Sequence, residues 1–86
     1  MLELIVRGQR NDEDALEQII EGYQRRVAAM IRTLVHDDDW QDLCQQVFVK
    51  MVLGLSRLKN IETFESWLFT IARNSCFDHL RRRRAK

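Results

Sequence analysis

Histidine, cysteine and carboxylate side chains are the groups in this sequence that could catalyse a reaction or bind a metal. The two histidines, His36 and His79, stand in no nucleophile–base arrangement, and the chain has no glycine-rich phosphate loop and no metal-ligand spacing. The two cysteines, Cys44 and Cys76, form no CxxC motif, and no export signal precedes them, so we expect reduced, structural thiols. The sequence therefore predicts neither an enzyme nor a bound cofactor.

Three consecutive carboxylates, Asp37, Asp38 and Asp39, could bind a hard metal ion. They also come directly before a helical pattern, where an N-cap residue and acidic first-turn residues stabilise a helix. The helix start accounts for these aspartates without a ligand, so we expect no metal site there.

A stripe of polar and basic side chains near the C-terminus could bind nucleic acid. At about 100° per residue, one face of the last helical segment consists of Ser66, Thr70, Arg73, Asn74, Phe77, Arg81 and Arg84. Arginines neutralise phosphates, amides and hydroxyls reach base edges or backbone, and an aromatic ring offers a stacking surface. The alternatives are that Phe77 packs on a neighbouring helix and that Asn74 is only solvated.

The distribution of charge agrees with an anionic partner at this end of the chain. The net charge is only +1, but residues 1–55 carry six Lys/Arg and ten Asp/Glu, whereas residues 56–86 carry eight and three. Such asymmetry favours nucleic acid as a partner, although a solvated basic tail would show the same balance.

Apolar spacing predicts that these groups lie on helices. We expect a short helix over residues 2–7 ended by Gly8, and a long helix that Asn11 or Asp12 caps and that ends near His36. Further helices are predicted over residues 39–55 and from Thr63 to the arginines, with a turn over 56–62. The fold class is all-α, one domain over 1–86 with a compact bundle of three main helices and a short N-terminal helix. No apolar run is long enough to cross a membrane, so we expect a cytoplasmic chain.

The outward face of the 39–55 helix has the composition of a protein-docking surface. Its members, which lie opposite the predicted core stripe, are Asp42, Gln45, Gln46, Val49 and Leu53. An apolar pair rimmed by amides and a carboxylate is typical of an interface, although isolated aliphatic side chains on a surface are common.

Three segments resemble the extracytoplasmic-function (ECF, group IV) sigma factors of bacterial RNA polymerase. Residues 39–49, DWQDLCQQVFV, are similar to their D-x-x-D-L-x-Q-E-V-F signature. Residues 64–74, FESWLFTIARN, and 78–82, DHLRR, resemble F-x-S-W-L-x-x-I-A-R-N and D-x-L-R-R. Residues 15–27 are similar to the family's first conserved helix. The resemblance is to region 2, the domain that docks on the polymerase and melts promoters.

The resemblance implies roles for the residues at the matching positions. Asp42, Gln45, Gln46 and Val49 would dock on the clamp helices of the polymerase β′ subunit, and Leu53 shares their face. The turn before the last helix would capture a base flipped from the −10 element of promoter DNA, through Leu58, Lys59, Asn60, Ile61 and Thr63. The last helix would contact promoter DNA upstream of that base. The implied partners are RNA polymerase core, the melted promoter strand and an anti-sigma factor.

Two departures and two rival functions accompany the resemblance. Gln46 stands where the family usually has Glu, and no second (region 4) domain for the −35 element follows residue 86, which would make the chain an excised domain or a truncated product. Trp67 fits either the core or a wedge near the melted strand. The rivals are a protein-only helical adaptor and a stand-alone duplex DNA-binding module of helix-turn-helix type, whose turn would be tighter than residues 56–63.

Overall fold

Four α-helices build the chain in a computed structural model that describes residues 1–85. Helix α1 spans Leu2–Gln9, α2 spans Glu13–Leu34, α3 spans Trp40–Gly54 and α4 spans Phe64–Arg84. Two 3₁₀ turns, Leu55–Arg57 and Ile61–Thr63, connect α3 to α4, and residues 55–63 are called the α3–α4 turn below. The prediction of an all-α bundle of three main helices with a short N-terminal helix is confirmed. None of the helices within residues 1–85 is both long and apolar enough to span a membrane.

Helix α2 begins at the aspartate that the sequence offered as one of two caps. The Asp12 carboxylate accepts a hydrogen bond of 3.2 Å from the Ala15 N–H, and Arg7 donates to its other oxygen at 3.0 Å. These two hydrogen bonds, that from Arg7 first, hold the pKa of Asp12 below its usual value. Asn11, the alternative cap, instead lies in the left-handed region with φ 62°, where it turns the chain from α1 into α2.

The buried face of α2 lies at the centre of the bundle, because α2 contacts each of the other three helices. Tyr23 on this face packs edge-on against Phe64 of α4, with ring centroids 5.4 Å apart. The core assembles apolar side chains from all four helices, from Val35 directly after α2 and from the first 3₁₀ turn: Ile5, Leu16, Ile19, Tyr23, Val27, Ile31, Val35, Leu43, Val47, Phe48, Met51, Leu55, Phe64, Leu68, Ala72 and Cys76. Cys76 lies fully buried here.

Polar contacts fix the helices against one another at the edges of this core. Tyr23 donates its hydroxyl to Glu65 at 3.1 Å, and Arg26 donates to the other Glu65 oxygen at 3.0 Å while covering the Tyr23 ring at 4.5 Å. On the other side of α4, Lys50 of α3 donates to the buried Ser75 hydroxyl at 2.9 Å. Helix α4 is therefore tied to both of its long neighbours.

Several helix ends differ from the sequence prediction. Gly8 does not end α1 but lies inside it, where an added Cβ would come within 3.0 Å of Leu55 Cδ2 and 3.1 Å of Ile19 Cδ1. Asp39 occupies the N-cap position of α3 without a side-chain cap, and its N–H donates to Asp37 at 2.8 Å. Thr63 likewise precedes α4 without capping it, because its hydroxyl donates back to the Asn60 carbonyl at 2.7 Å.

The positive φ of Asn11 leads to a stability prediction. Asn11→Ala should lower the free energy of unfolding by about 1 kcal/mol, because a Cβ without a locally bonding polar group is disfavoured in the left-handed region. Asn11→Gly should leave stability within about 0.5 kcal/mol of the wild type, since glycine adopts this conformation freely. Urea unfolding followed by circular dichroism would measure both variants, and equal midpoints for the two would contradict the prediction.

Candidate nucleic-acid and protein interfaces

The outward face predicted for α3 is exposed. Val49 retains 57% of its accessible surface and Leu53 retains 69%, the largest value among the exposed large hydrophobic side chains. Asp42, Gln45 and Gln46 are exposed beside them. The predicted exposure is confirmed, while docking on a polymerase stays a prediction for these five residues.

An apolar groove of 480 Å³ lies between this face and α2, which the sequence did not reveal. Its walls combine the exposed α3 residues with side chains from both helices: Ile20, Gln24, Cys44, Gln45, Phe48, Val49, Val52 and Leu53. Cys44 and Val52 are both half-buried in the groove wall. Burial raises the pKa of the Cys44 thiol, so this wall is uncharged at neutral pH. Two amides, Gln24 and Gln45, are the polar side chains in this lining.

The α3–α4 turn combines half-buried apolar side chains with exposed polar ones. Leu58 and Ile61 pack against the core, while Lys59 and Asn60 are exposed. Asn60 Oδ1 accepts a hydrogen bond of 3.0 Å from the Glu62 N–H, which fixes the orientation of the side-chain amide. The turn therefore has an apolar floor and a polar rim, and Asn60 also stabilises the turn itself.

Thr63 closes the turn from its other end. Its N–H and its hydroxyl both donate to the Asn60 carbonyl, at 3.0 Å and 2.7 Å. The Thr63 hydroxyl hydrogen is thus donated within the turn, which fixes the orientation of the side chain. The side chain is still exposed, so the predicted contact of Thr63 with DNA stays a prediction.

The predicted nucleic-acid face of α4 is exposed along its length. Ser66, Thr70, Arg73, Asn74, Phe77, Arg81 and Arg84 are all exposed, and Phe77 retains 45% of its surface. Thr70 donates its hydroxyl to the Ser66 carbonyl at 2.8 Å, so this hydroxyl is satisfied inside the helix. Phe77 does not pack on a neighbouring helix, which removes one of the alternatives raised by the sequence.

The C-terminal half of this face forms an open depression of 710 Å³ that is suited to a planar, anionic ligand. Its lining consists of Asn74, Phe77, Asp78, Leu80, Arg81 and Arg84. Arg81 pairs with Asp78 one turn earlier in the helix. The depression therefore combines an aromatic surface with guanidinium groups, one of which is held by a carboxylate.

Trp67 lies at the edge of the core beside the α3–α4 turn. Its ring packs over Gly54, where an added Cβ would lie 3.1 Å from Trp67 Cζ2, and its centroid is 5.9 Å from that of Phe64. The tryptophan is half-buried, which agrees with the packing role that was one of its two sequence readings.

A cluster joins the α2–α3 loop to the end of α4 and was missed by the sequence analysis. His79 Nε2 lies 3.1 Å from Asp37 Oδ2 and 3.8 Å from Asp39 Oδ2, and Arg83 pairs with the same Asp37 oxygen. The hydrogen bond from His79, followed by those from the Asp39 N–H and Arg83, holds the pKa of Asp37 below its usual value. The His79, Asp37 and Asp39 ligand atoms lie within 4.8 Å of one another, but Arg83 already supplies positive charge there. We therefore assign an ion-pair cluster.

Comparisons with known proteins agree with this geometry. A family model described as Sigma-70 region 2 matches residues 19–86. The chain is 33% identical over 79 residues to the RNA polymerase sigma-H factor of Pseudomonas aeruginosa, covering 91% of this chain and 41% of that protein. It is 30% identical over 77 residues to the ECF RNA polymerase sigma-E factor of Escherichia coli, covering 90% and 40%. The chain thus spans about two fifths of these relatives.

A solved structure shares the fold of most of the bundle. It is the NMR structure of an engineered region 2 of sigmaE in complex with GTAAAA, with a TM-score of 0.84 and 30% sequence identity. The similarity covers 92% of this chain and 83% of that one.

The Asp37 cluster leads to a prediction about acid stability. A carboxyl whose pKa is lowered by folding stabilises the protein above its unfolded pKa, and this stabilisation is lost as the pH falls through the folded pKa. Asp37→Asn should therefore lower Tm at pH 7 and make the fall in Tm between about pH 5 and pH 2 shallower than in the wild type. Thermal unfolding across this pH range would measure the effect. Asp38→Asn, which removes the same charge at an exposed neighbour, is the control, and an equal loss of Tm at pH 7 in both variants would contradict the assignment.

Proposed function

The chain belongs to the sigma-70 region 2 family, and on that premise we propose that it recognises and melts the promoter −10 element while bound to RNA polymerase core. The observation that carries the proposal is the α3–α4 turn, which lies between the exposed face of α3 and the arginine-bearing helix α4. Its two exposed polar side chains, Lys59 and Asn60, stand above a floor formed by Leu58 and Ile61.

Strand separation on this surface would proceed by trapping a base. A base that leaves the duplex loses stacking and pairing, at a cost of a few kcal/mol, and a protein pocket can offset this cost. The Asn60 amide can donate to a base edge while its oxygen holds the turn, and Lys59 can bind the neighbouring phosphate. The turn would therefore read one base of the melted strand.

Helix α4 would bind the promoter DNA beside the trapped base. Arg73 and Arg84 supply positive charge on the same exposed face as Phe77, whose ring can stack on an unpaired base. Arg81 joins them if a phosphate replaces Asp78 as its partner. The stripe then supplies affinity, and the turn supplies base preference.

Docking on the polymerase would use the exposed α3 face and the groove beside it. The groove has apolar walls with amides among its lining residues, which suits a partner helix that inserts apolar side chains and forms a few hydrogen bonds. We assign this site to the clamp helices of the β′ subunit. An anti-sigma factor that covered the same groove would block the polymerase without touching the DNA face.

The two sites are close along the chain. Leu53 on the docking face is followed directly by Gly54 and the α3–α4 turn, and α3 is bonded to α4 through Lys50 and Ser75. Binding of α3 to the polymerase would therefore fix the direction in which the turn faces DNA. Residues 1–86 form one such region 2 domain in this proposal, in the cytoplasm where the polymerase acts, and recognition of the −35 element would belong to a separate region 4 domain.

Docking can be tested by placing a charge on the exposed α3 face. Leu53→Glu should weaken binding to core polymerase by about 1–3 kcal/mol, because a charge at the centre of an apolar interface is desolvated without a partner. A titration of core enzyme into labelled domain measures the affinity. Leu2→Glu is the matched control, since Leu2 retains 48% of its surface on α1, and unchanged binding by a folded Leu53→Glu variant would refute this docking site.

Base reading can be tested with substitutions that separate recognition from turn structure. Asn60→Asp keeps an oxygen for the Glu62 N–H but loses the amide donor, so it should reduce the preference at one position of the −10 element. Lys59→Ala should weaken binding to all sequences alike, because a phosphate contact carries no sequence information. The measurement is the affinity of the chain, bound to core polymerase, for single-stranded −10 oligonucleotides that vary one base at a time. The same preference profile in the wild type and in Asn60→Asp would refute base reading by Asn60. A wild-type chain that bound core polymerase but no oligonucleotide would support a protein-only adaptor instead.

A further inference from the structure

We propose that Gln9 of α1 is a positioning residue for the α3–α4 turn and sets the base preference of that turn without contacting DNA. The inference rests on the proposed function, in which the turn reads a base. It concerns a helix that lies outside the matched family segment, because that segment begins at residue 19.

The side chain of Gln9 forms two hydrogen bonds to the backbone of the turn. Its Nε2 donates to the Leu55 carbonyl at 3.1 Å and to the Leu58 carbonyl at 2.8 Å, which uses both amide hydrogens. The Leu55 carbonyl also accepts the Leu58 N–H at 3.1 Å, which closes the first 3₁₀ turn. Gln9 therefore binds this turn at both of its ends, from another helix.

The second of these hydrogen bonds acts directly on the residues that would contact DNA. The Leu58 carbonyl and the Lys59 N–H belong to the same planar peptide unit. Gln9 thus fixes the plane from which Lys59 and then Asn60 extend. On the other side of the turn, the Glu62 N–H donates to Asn60 Oδ1. Lys59 and Asn60 are therefore held by one hydrogen bond at Leu58 and another at Glu62.

Close packing makes α1 a firm support for this contact. An added Cβ at Gly8 would lie 3.0 Å from Leu55 Cδ2, so α1 approaches the turn closely at this glycine. Leu55 is fully buried, and Ile5 anchors α1 in the same core with 2% of its surface exposed. Helix α1 also contacts the second 3₁₀ turn.

The test compares the base-preference profiles of Gln9 variants bound to core polymerase. Gln9→Met keeps the length of the side chain but has no donor. It should reduce the base preference by about three- to tenfold, at the same −10 position that Asn60→Asp changes. Gln9→Lys, which restores donors, should recover part of the preference. Gln18→Met, the same substitution at an exposed position of α2, is the control and should leave the profile unchanged.

Amide hydrogen exchange separates positioning from general stability. In Gln9→Met the amides of residues 58–63 should exchange faster, while those of the buried part of α4 around Leu68 and Ala72 should stay as in the wild type. If Gln9→Met lowers the folded fraction, Gln9→Ala gives the same comparison, because alanine also lacks a donor and is favourable in a helix.

Each outcome decides the inference. A wild-type profile in Gln9→Met, with Asn60→Asp still altered, would overturn the role of Gln9 and leave the proposed function intact. A uniform loss of affinity for all sequences with unchanged exchange in the turn would also overturn it. A wild-type chain without any base preference would refute the proposed function, and this inference with it. A selective loss of preference together with faster exchange in the turn would support it.

Discussion

The buried face of α2 is the contact on which the rest of the molecule depends. The helices have 8 to 22 residues, and most of the stability of helices in proteins comes from the packing of an apolar face rather than from their own hydrogen bonds. Ile19, Tyr23, Val27 and Ile31 have at most 3% of their surface exposed, and burying each such side chain contributes about 1.5–3 kcal/mol. Because α2 contacts all three other helices, the relative positions of the docking face, the turn and the basic helix all follow from this one face.

The proposed interfaces lie where apolar side chains remain outside that core. Val49 and Leu53 project from the side of α3 that is away from the core, and Phe77 projects from α4. Burial in the domain does not account for these side chains, and each lies beside polar groups that could orient a partner: amides at the groove, arginines at the depression. In the proposed function, the same bundle uses one surface for protein and another for nucleic acid, on consecutive elements of the chain.

Much of this arrangement could be predicted from the sequence, because helical periodicity is local. The spacing of the apolar residues predicted the ends of α2 and α3 to within about two residues. The face of each of α3 and α4 that was predicted to point away from the core is exposed. The contacts that escaped prediction join residues far apart in the chain: Gln9 to Leu58 across 49 positions, and His79 to Asp37 across 42. A side chain that caps a distant carbonyl leaves no periodic signal. Gly8 is a second example. From the sequence, this glycine indicated the end of α1, whereas in the structure it lies inside α1 in close contact with the distant Leu55.

The cluster at the end of α4 affects how the arginines meet a polyanion. Asp37 and Asp78 act as built-in counterions for Arg83 and Arg81. A phosphate that binds either arginine must displace a carboxylate of the same protein, and the displaced carboxylate stays close to the nucleic acid as a like charge. These two arginines would therefore supply less net positive charge than their number indicates. Asp37 is also on the loop that leads into α3, so its pairing with Arg83 links the last turns of α4 to the start of α3.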